Sequence, residues 1–194
     1  LFSKDLILAS TSTYRRMLLA RLGVPFTCEA PGTDETALPG ESAAALTTRL
    51  AQLKCAAVAA RHQRAVVIGS DQAAVRGHEI LGKPGSVARC IEQLQRSSGR
   101  QVDFLTAVTI IDTATGQHES YLDRTVVKFR SLSDEEIARY VAADQPLDCA
   151  GGFKAEALGI ALFDSIESSD PSALTGLPLI WVSAALRRTG LSVP

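Results

Sequence analysis

Residues 66–84 constrain the chain most. Val66-Val67-Ile68 is an apolar run suited to a buried strand. It stops at Gly69, and Ser70, Asp71 and Gln72 follow as polar residues. In open α/β sheets ligands collect at the carboxyl ends of strands, so Asp71 stands where a catalytic carboxylate is expected. Ala73-Ala74-Val75-Arg76 and Glu79-Ile80-Leu81 read as a hairpin around Gly77-His78, leading to Gly82-Lys83-Pro84. A carboxylate and a lysine at one rim suit chemistry on a phosphate. From this stretch alone, Asp71 capping a turn and Lys83 in solvent remain open alternatives.

The flanking sequence places that strand in an α/β protein. Glu41 to His62 reads as an alanine-rich helix with Leu46, Leu50, Leu53 and Ala57 as its buried stripe and Lys54 on the shoulder. Leu6 to Ala9 is a short strand. A helix then follows to about Leu22, with Tyr14, Met17, Leu18 and Leu22 on one face, and Gly23 stops it. Phe26 to Ala30 reads as a second strand, and Pro31 to Gly40 as a polar loop carrying Asp34-Glu35. Ser86 caps a helix whose face is Val87, Cys90, Ile91 and Leu94. Val102–Ile111 and Ser120–Arg130 are long strands, and Ser133 to Glu136 is a capping box. Leu158 to Phe163 reads as a strand, and a last helix ends at Arg188. Strands and helices mix without strict βαβ alternation. The expected fold is α/β: a mixed twisted sheet flanked by helices, with two lobes around a cleft, in one domain over residues 1–194.

Several function classes are disfavoured. The formal net charge of −1 gives no global basic field for nucleic acid, and at 5% the aromatics are too few for a stacking platform. No apolar run approaches the ~20 residues of a membrane span. The first 30 residues lack the long apolar region of a signal peptide, and a cytoplasmic protein is expected. Cys28, Cys55, Cys90 and Cys149 are widely spaced and lie in apolar contexts, so they read as buried free thiols and not as a zinc site.

The turn after the first strand carries a second signal. Arg15 and Arg16 fall in the first turn of a helix, where cations oppose the macrodipole by roughly 0.3–1 kcal/mol each. Together with Ser10, Thr11 and Ser12 they suit an anion, above all a phosphate, although two solvated arginines are the alternative. Lys54 is either a second phosphate clamp or a snorkelling lysine. Asp34-Glu35 is either a solvated pair or, with Asp71, an oxygen-rich site for Mg²⁺ or Mn²⁺. No P-loop, G-x-G-x-x-G or G-x-S-x-G is present.

Taken in order, Leu8-Ala9-Ser10-Thr11-Ser12-x-x-Arg15-Arg16, Asp34-Glu35, Lys54, Gly69-Ser70-Asp71-Gln72, Gly82-Lys83-Pro84 and Gly176-Leu177-Pro178 resemble the Maf-like nucleotide pyrophosphatases. The resemblance spans nearly the whole chain. It implies a mixed α/β fold with a cleft between two lobes. It also implies hydrolysis of nucleoside triphosphates to monophosphate and pyrophosphate with a divalent cation (Mg, Mn or Co). Asp71 matches the proton acceptor and a metal ligand. Ser10, Arg15, Arg16, Lys54 and Lys83 match the phosphate-binding set, and Glu35 matches an active-site carboxylate or metal ligand. The implied partner is a small-molecule nucleoside triphosphate, and the resemblance leaves a homodimer open.

Tyr14, Gln72 and Glu156 fall at positions that differ between subgroups and are linked to base choice. Gln72 stands where the dTTP/UTP-cleaving branch has Thr. Residues 148–156 resemble the 7-methyl-GTP pyrophosphatase subgroup. Methylation of the guanine imidazole ring leaves a positive charge, which an aromatic face stabilises by roughly 0.5–2 kcal/mol. A carboxylate can accept hydrogen bonds from the guanine edge and offset that charge. Thr13-Tyr14 replaces the subgroup's common Pro-Trp, a weaker stacking face. A dTTP/UTP pyrophosphatase, a non-catalytic nucleotide-binding regulator of cell division and a generic metal phosphatase are the competing expectations.

Overall fold

The computed structural model describes residues 4–193. In chain order the strands and helices are β1 (Asp5–Leu8), α1 (Thr13–Ala20), β2 (Thr27–Cys28), α2 (Ala43–Ala59), β3 (Ala65–Arg76), β4 (Glu79–Leu81), α3 (Val87–Ser97), β5 (Gln101–Asp112), β6 (Gln117–Phe129), α4 (Asp134–Asp144), β7 (Phe163–Glu167) and α5 (Leu179–Arg188). Short 3₁₀ turns occupy Ala150–Gly152, Leu158–Leu162 and Ala173–Thr175. The architecture is mixed α/β. The sheet has seven strands in the order β2-β1-β3-β5-β6-β7, with β4 paired to β3. The chain forms two compact units. One runs to Asp71 and takes in Thr106–Asp123 and the chain from Asp170 onward; the other is Gln72–Leu105 with Arg124–Ser169.

In the first unit, β1 pairs in parallel with β2 and with β3, in register from Asp5↔Ala65 to Leu8↔Ile68. Successive strand residues face opposite sides of the sheet. Leu6, Leu8, Val66 and Ile68 pack with Leu18, Leu19, Leu179, Val182 and Leu186 of α1 and α5. Ile7, Ala9 and Val67 pack with Cys55 and Val58 of α2. Both faces are covered, which is why β1 and the start of β3 read as unbroken apolar runs.

Two expected helix faces are rotated. Met17 is 70% exposed, and Leu19 joins Leu18 inside. In α2 the inward stripe is Leu46, Thr47, Leu50, Ala51, Lys54, Cys55 and Val58, while Leu53 is 40% exposed. Leu46 and Leu50 keep their expected places, but opposite Gly69 the helix turns the small residues Ala51 and Cys55 inward in place of Leu53.

The second unit contains the β3–β4 hairpin, in register from Ala74↔Leu81 to Arg76↔Glu79. Phe104, Phe129, Phe153 and Phe163 form an edge-to-face cluster with ring centroids 4.8–5.6 Å apart. Such pairs add roughly 0.5–1.5 kcal/mol each beyond burial. The capping box at Ser133 and Glu136 opens α4 as expected. In α3, Cys90 and Leu94 are buried, but Val87 is exposed. Leu158–Leu162 is a 3₁₀ turn instead of a strand, with Leu158 and Ile160 exposed; the strand begins at Phe163. Gly159 lies against the Lys154 carbonyl, so closely that a Cβ would sit 2.4 Å from that oxygen. This folded-back path is incompatible with extended backbone. All four cysteines are free, but Cys28 is exposed and Cys149 half-buried, against the expectation of four buried thiols.

Candidate active site

The site begins with a missing side chain. A Cβ at Gly69 would lie 2.4 Å from the Ala51 carbonyl oxygen and 2.6 Å from the Cys55 backbone nitrogen. Glycine therefore lets α2 settle directly on β3. Lys54 sits between those two contact residues on the helix and turns toward the strand. Its ammonium lies 2.7 Å from Asp71 Oδ1 and 2.9 Å from Glu35 Oε2. Lys54 is 5% exposed and Asp71 8%, whereas Glu35 reaches in from an exposed loop.

Asp71 is not in a turn beyond the strand, as the sequence suggested. β3 continues through Gly69, Ser70 and Asp71 to Arg76. The carboxyl-end argument holds in another form. The parallel register with β1 stops at Leu8↔Ile68, and the Ala9 amide donates to the Ile68 carbonyl. Asp71 thus lies three residues past the point where β1 turns away.

Burial pushes the Asp71 carboxyl above its ordinary range, and nearby Glu35 adds to this; the charge and hydrogen bond of Lys54 and the charge of Arg15 oppose it. A carboxylate raised in this way is a stronger base than a solvated one. Cys55 is no rival nucleophile. Burial pushes its thiol up to about 12, and Sγ donates to the Val67 carbonyl at 3.1 Å.

The turn after β1 is organised by hydroxyls. The Ser12 amide donates to Ser10 Oγ at 3.1 Å, and the Ser12 side chain caps α1 by accepting from the Arg15 amide. Arg15 is half-buried and its Nε donates to the Gly176 carbonyl at 3.0 Å. Burial lowers its pKa from the ordinary value, while the charges of Asp71 and Glu35 raise it. Ser70 Oγ lies 3.0 Å from the same Gly176 carbonyl and 2.8 Å from that of Ala107. Gly176 has φ +117°, a conformation that favours glycine.

Ser10, Arg15, Lys54, Glu35 and Asp71 all belong to the first unit, and electrostatic or direct contacts link the last four. Tyr14 is half-buried on α1, and Arg16 is exposed. Asp34 turns away, accepting from the amide and hydroxyl of Thr36. Gln72, Lys83 and Glu156 belong to the second unit. Lys83 is exposed and lines an open pocket with Arg76, Glu79, Arg89 and Gln93; Glu156 is exposed in a turn. The cation paired with Asp71 is thus Lys54, from the preceding helix. Sequence reasoning did not single out Arg49, which bridges α2 to the Glu35 loop by donating to both Glu41 carboxylate oxygens at 2.7 Å and to the Thr36 carbonyl at 3.1 Å.

Among the described residues no group of three or more His, Cys, Asp or Glu side chains is arranged to hold a metal ion. The donors available near Lys54 are the oxygens of Asp71 and Glu35. This hard, two-carboxylate set fits a divalent cation that completes its shell with water and substrate phosphate, the usual arrangement for Mg²⁺.

The model of the Maf family, described as Maf-like protein, matches residues 5–189. The chain belongs to the Maf-like family. Its relatives include proteins named 7-methyl-GTP pyrophosphatase from Aromatoleum aromaticum (54% identical over 97% of both chains), Pseudomonas putida (50%, 97% of this chain and 98% of the relative) and Xanthomonas campestris pv. campestris (54%, with the same coverage as the P. putida protein). A solved structure of the Staphylococcus aureus Ham1 protein gives a TM-score of 0.47 at 16% identity, covering 65% of this Maf-like chain and 72% of that one. No described helix is long and apolar enough to cross a membrane.

Proposed function

We propose that this Maf-like protein hydrolyses 7-methyl-GTP to 7-methyl-GMP and pyrophosphate, a house-cleaning reaction on modified nucleotides. The observation that carries the reading is the buried Lys54–Asp71 pair with Glu35 and Arg15 around it, in a chain 50–54% identical to proteins of that name.

In the proposed reaction Arg15 and Lys54, with Ser10, Arg16 and Lys83, hold the triphosphate and offset charge that develops on it. Asp71 accepts a proton from the attacking water, whose oxygen forms the new bond to the α-phosphorus. The bond from that phosphorus to the bridging oxygen breaks, and pyrophosphate leaves with the electron pair. A divalent cation (Mg, Mn or Co), held by Asp71 and Glu35, supplies Lewis-acid polarisation of the phosphate when bound. Lys54 neutralises the same two carboxylates and keeps them at one locus. Tyr14, Gln72 and Glu156 select the base. The tyrosine face stacks on the cationic methylguanine and Glu156 accepts from its edge.

The test is product analysis in heavy-oxygen water over a panel of 7-methyl-GTP, GTP, dTTP and UTP. The expected result is one labelled oxygen in the nucleoside monophosphate, unlabelled pyrophosphate and preference for the methylated base. Label confined to free inorganic phosphate would overturn the pyrophosphatase reading, and preference for a pyrimidine would overturn the base assignment.

A further inference from the structure

The start of α5 is capped from a distance. Pro178 stands at the N-cap position and offers no capping side chain. The first amides of the helix go instead to residues upstream. The Leu179 amide donates to Ser172 Oγ at 2.8 Å, and the Ile180 amide donates to Asp170 Oδ2 at 2.7 Å. The other carboxylate oxygen of Asp170 accepts from the Ser172 amide at 3.0 Å and from its hydroxyl at 2.5 Å. Asp170 is 4% exposed. A buried carboxylate at a helix N-terminus is stabilised by these charge-assisted bonds.

These bonds close a loop. Asp170 and Ser172 lie before the 3₁₀ turn Ala173–Thr175, and Leu179 and Ile180 lie after Pro178. Inside the loop Leu177 is fully buried, and Gly176 takes its positive φ. The loop presents one carbonyl, that of Gly176, to Arg15 Nε and Ser70 Oγ at 3.0 Å each. Ser70 immediately precedes Asp71. The Nε bond restrains the direction of the guanidinium, and Arg15 Nη1 and Nη2 carry no hydrogen bond among the described residues. The fork-like edge is therefore available for paired hydrogen bonds to phosphate oxygens.

We infer that Asp170 is a positioning residue, which through the closed 170–180 loop and the Gly176 carbonyl sets the orientation in which Arg15 meets the triphosphate. The inference rests on the phosphate role proposed above for Arg15. Asp170 touches neither substrate nor reacting atoms.

The experiment is a double-mutant cycle between Asp170→Asn and Arg15→Met. It is read by calorimetric binding of inorganic tripolyphosphate and, with the methylated nucleotide as substrate, by the split between KM and kcat. Asn replaces one acceptor oxygen with a donor amide and cannot accept both sets of bonds. With Arg15 present, Asp170→Asn is expected to weaken tripolyphosphate about tenfold, near the low end for a bond to a charged group. In the Arg15→Met background the further loss should be under about twofold, because the guanidinium that the loop orients is gone. Equal losses in both backgrounds would overturn the inference and leave Asp170 as a helix cap alone. Unchanged affinity in Arg15→Met by itself would overturn the phosphate role of Arg15 and the inference with it. Should Asp170→Asn not fold, Ser172→Ala removes the Leu179 acceptor and is read through the same cycle.

Discussion

Gly69→Ala tests the packing on which the candidate site is built. The added Cβ would stand 2.4 Å from the Ala51 carbonyl oxygen, 2.6 Å from the Cys55 nitrogen and 2.7 Å from Cys55 Cβ. The two closest contacts are backbone, so no side chain can swing aside. Restoring the oxygen contact to an ordinary 3.4 Å requires a retreat of 3.4 − 2.4 = 1.0 Å along that direction by α2, by β3 or by both. Overpacking of this kind costs roughly 1–3 kcal/mol. For a chain of this size each kcal/mol lowers Tm by roughly 2–4 °C, so a loss of about 2–12 °C is expected by calorimetry. The same displacement stretches the 2.7 Å contact between Lys54 and Asp71. Misplacement by about 1 Å at a catalytic group can cost about a hundredfold in rate. The variant should therefore lose turnover far beyond its loss of folded protein at the assay temperature. Parental Tm together with parental turnover would refute the claim that the absence of a side chain at residue 69 sets the helix–strand distance.

Two further outcomes follow from the electrostatics. The Asp71 carboxyl is raised from 3.8 in the fold, so its contribution to stability is full below about 3.8 and is lost as pH rises through its folded value. Asp71→Asn lacks that ionisation, so the difference in Tm between variant and parent should shift in the variant's favour as pH rises through this window, whatever its starting offset from the loss of a Lys54 partner, while most turnover is lost. A Tm difference independent of pH contradicts the buried-carboxyl account. Glu41 is lowered to about 2, chiefly by its hydrogen bonds from Arg49, so the clamp is intact above about 4.5 and is lost as pH falls toward about 2. Arg49→Met should mimic that loss at neutral pH, speeding amide exchange over residues 34–41 more than over α2, and equal protection of the two segments would remove the bracing role of Arg49.

The elements that sequence reasoning places well carry local signatures. The capping box at Ser133 and Glu136, the hairpin around Gly77 and the apolar run of β1 each announce themselves within a few residues. The misplacements are tertiary in origin. The Leu158–Phe163 run is apolar and short, which suits a strand, but its first five residues fold back as a 3₁₀ turn and the extended backbone begins only at Phe163. Spacing assigns Met17 and Leu18 inward, and the packing of α1 keeps Leu18 but takes Leu19 in place of Met17. Nothing within α1 distinguishes those alternatives, because three consecutive apolar residues fit more than one face.

The site shows the same division more sharply. Five of the residues expected from type and position, Ser10, Arg15, Glu35, Lys54 and Asp71, fall in one compact unit, and contacts or charges link the last four. Their pairing is not legible in the sequence. Reading along the chain joins Asp71 to Lys83, twelve residues on, whereas the ammonium at Asp71 comes from Lys54 on the preceding helix. Pattern reading puts Leu53 on the buried face of α2, the habitual place for leucine, and leaves Lys54 at its edge. The face that turns inward carries Thr47, Ala51, Lys54 and Cys55 because β3 offers a glycine there and the helix must come close. Burying an ammonium in that stripe would be costly without a counter-charge. Asp71 and Glu35 supply it, so the rotation of α2 and the assembly of the site are one event, set by which side chains at residues 51, 55 and 69 are small enough to allow contact.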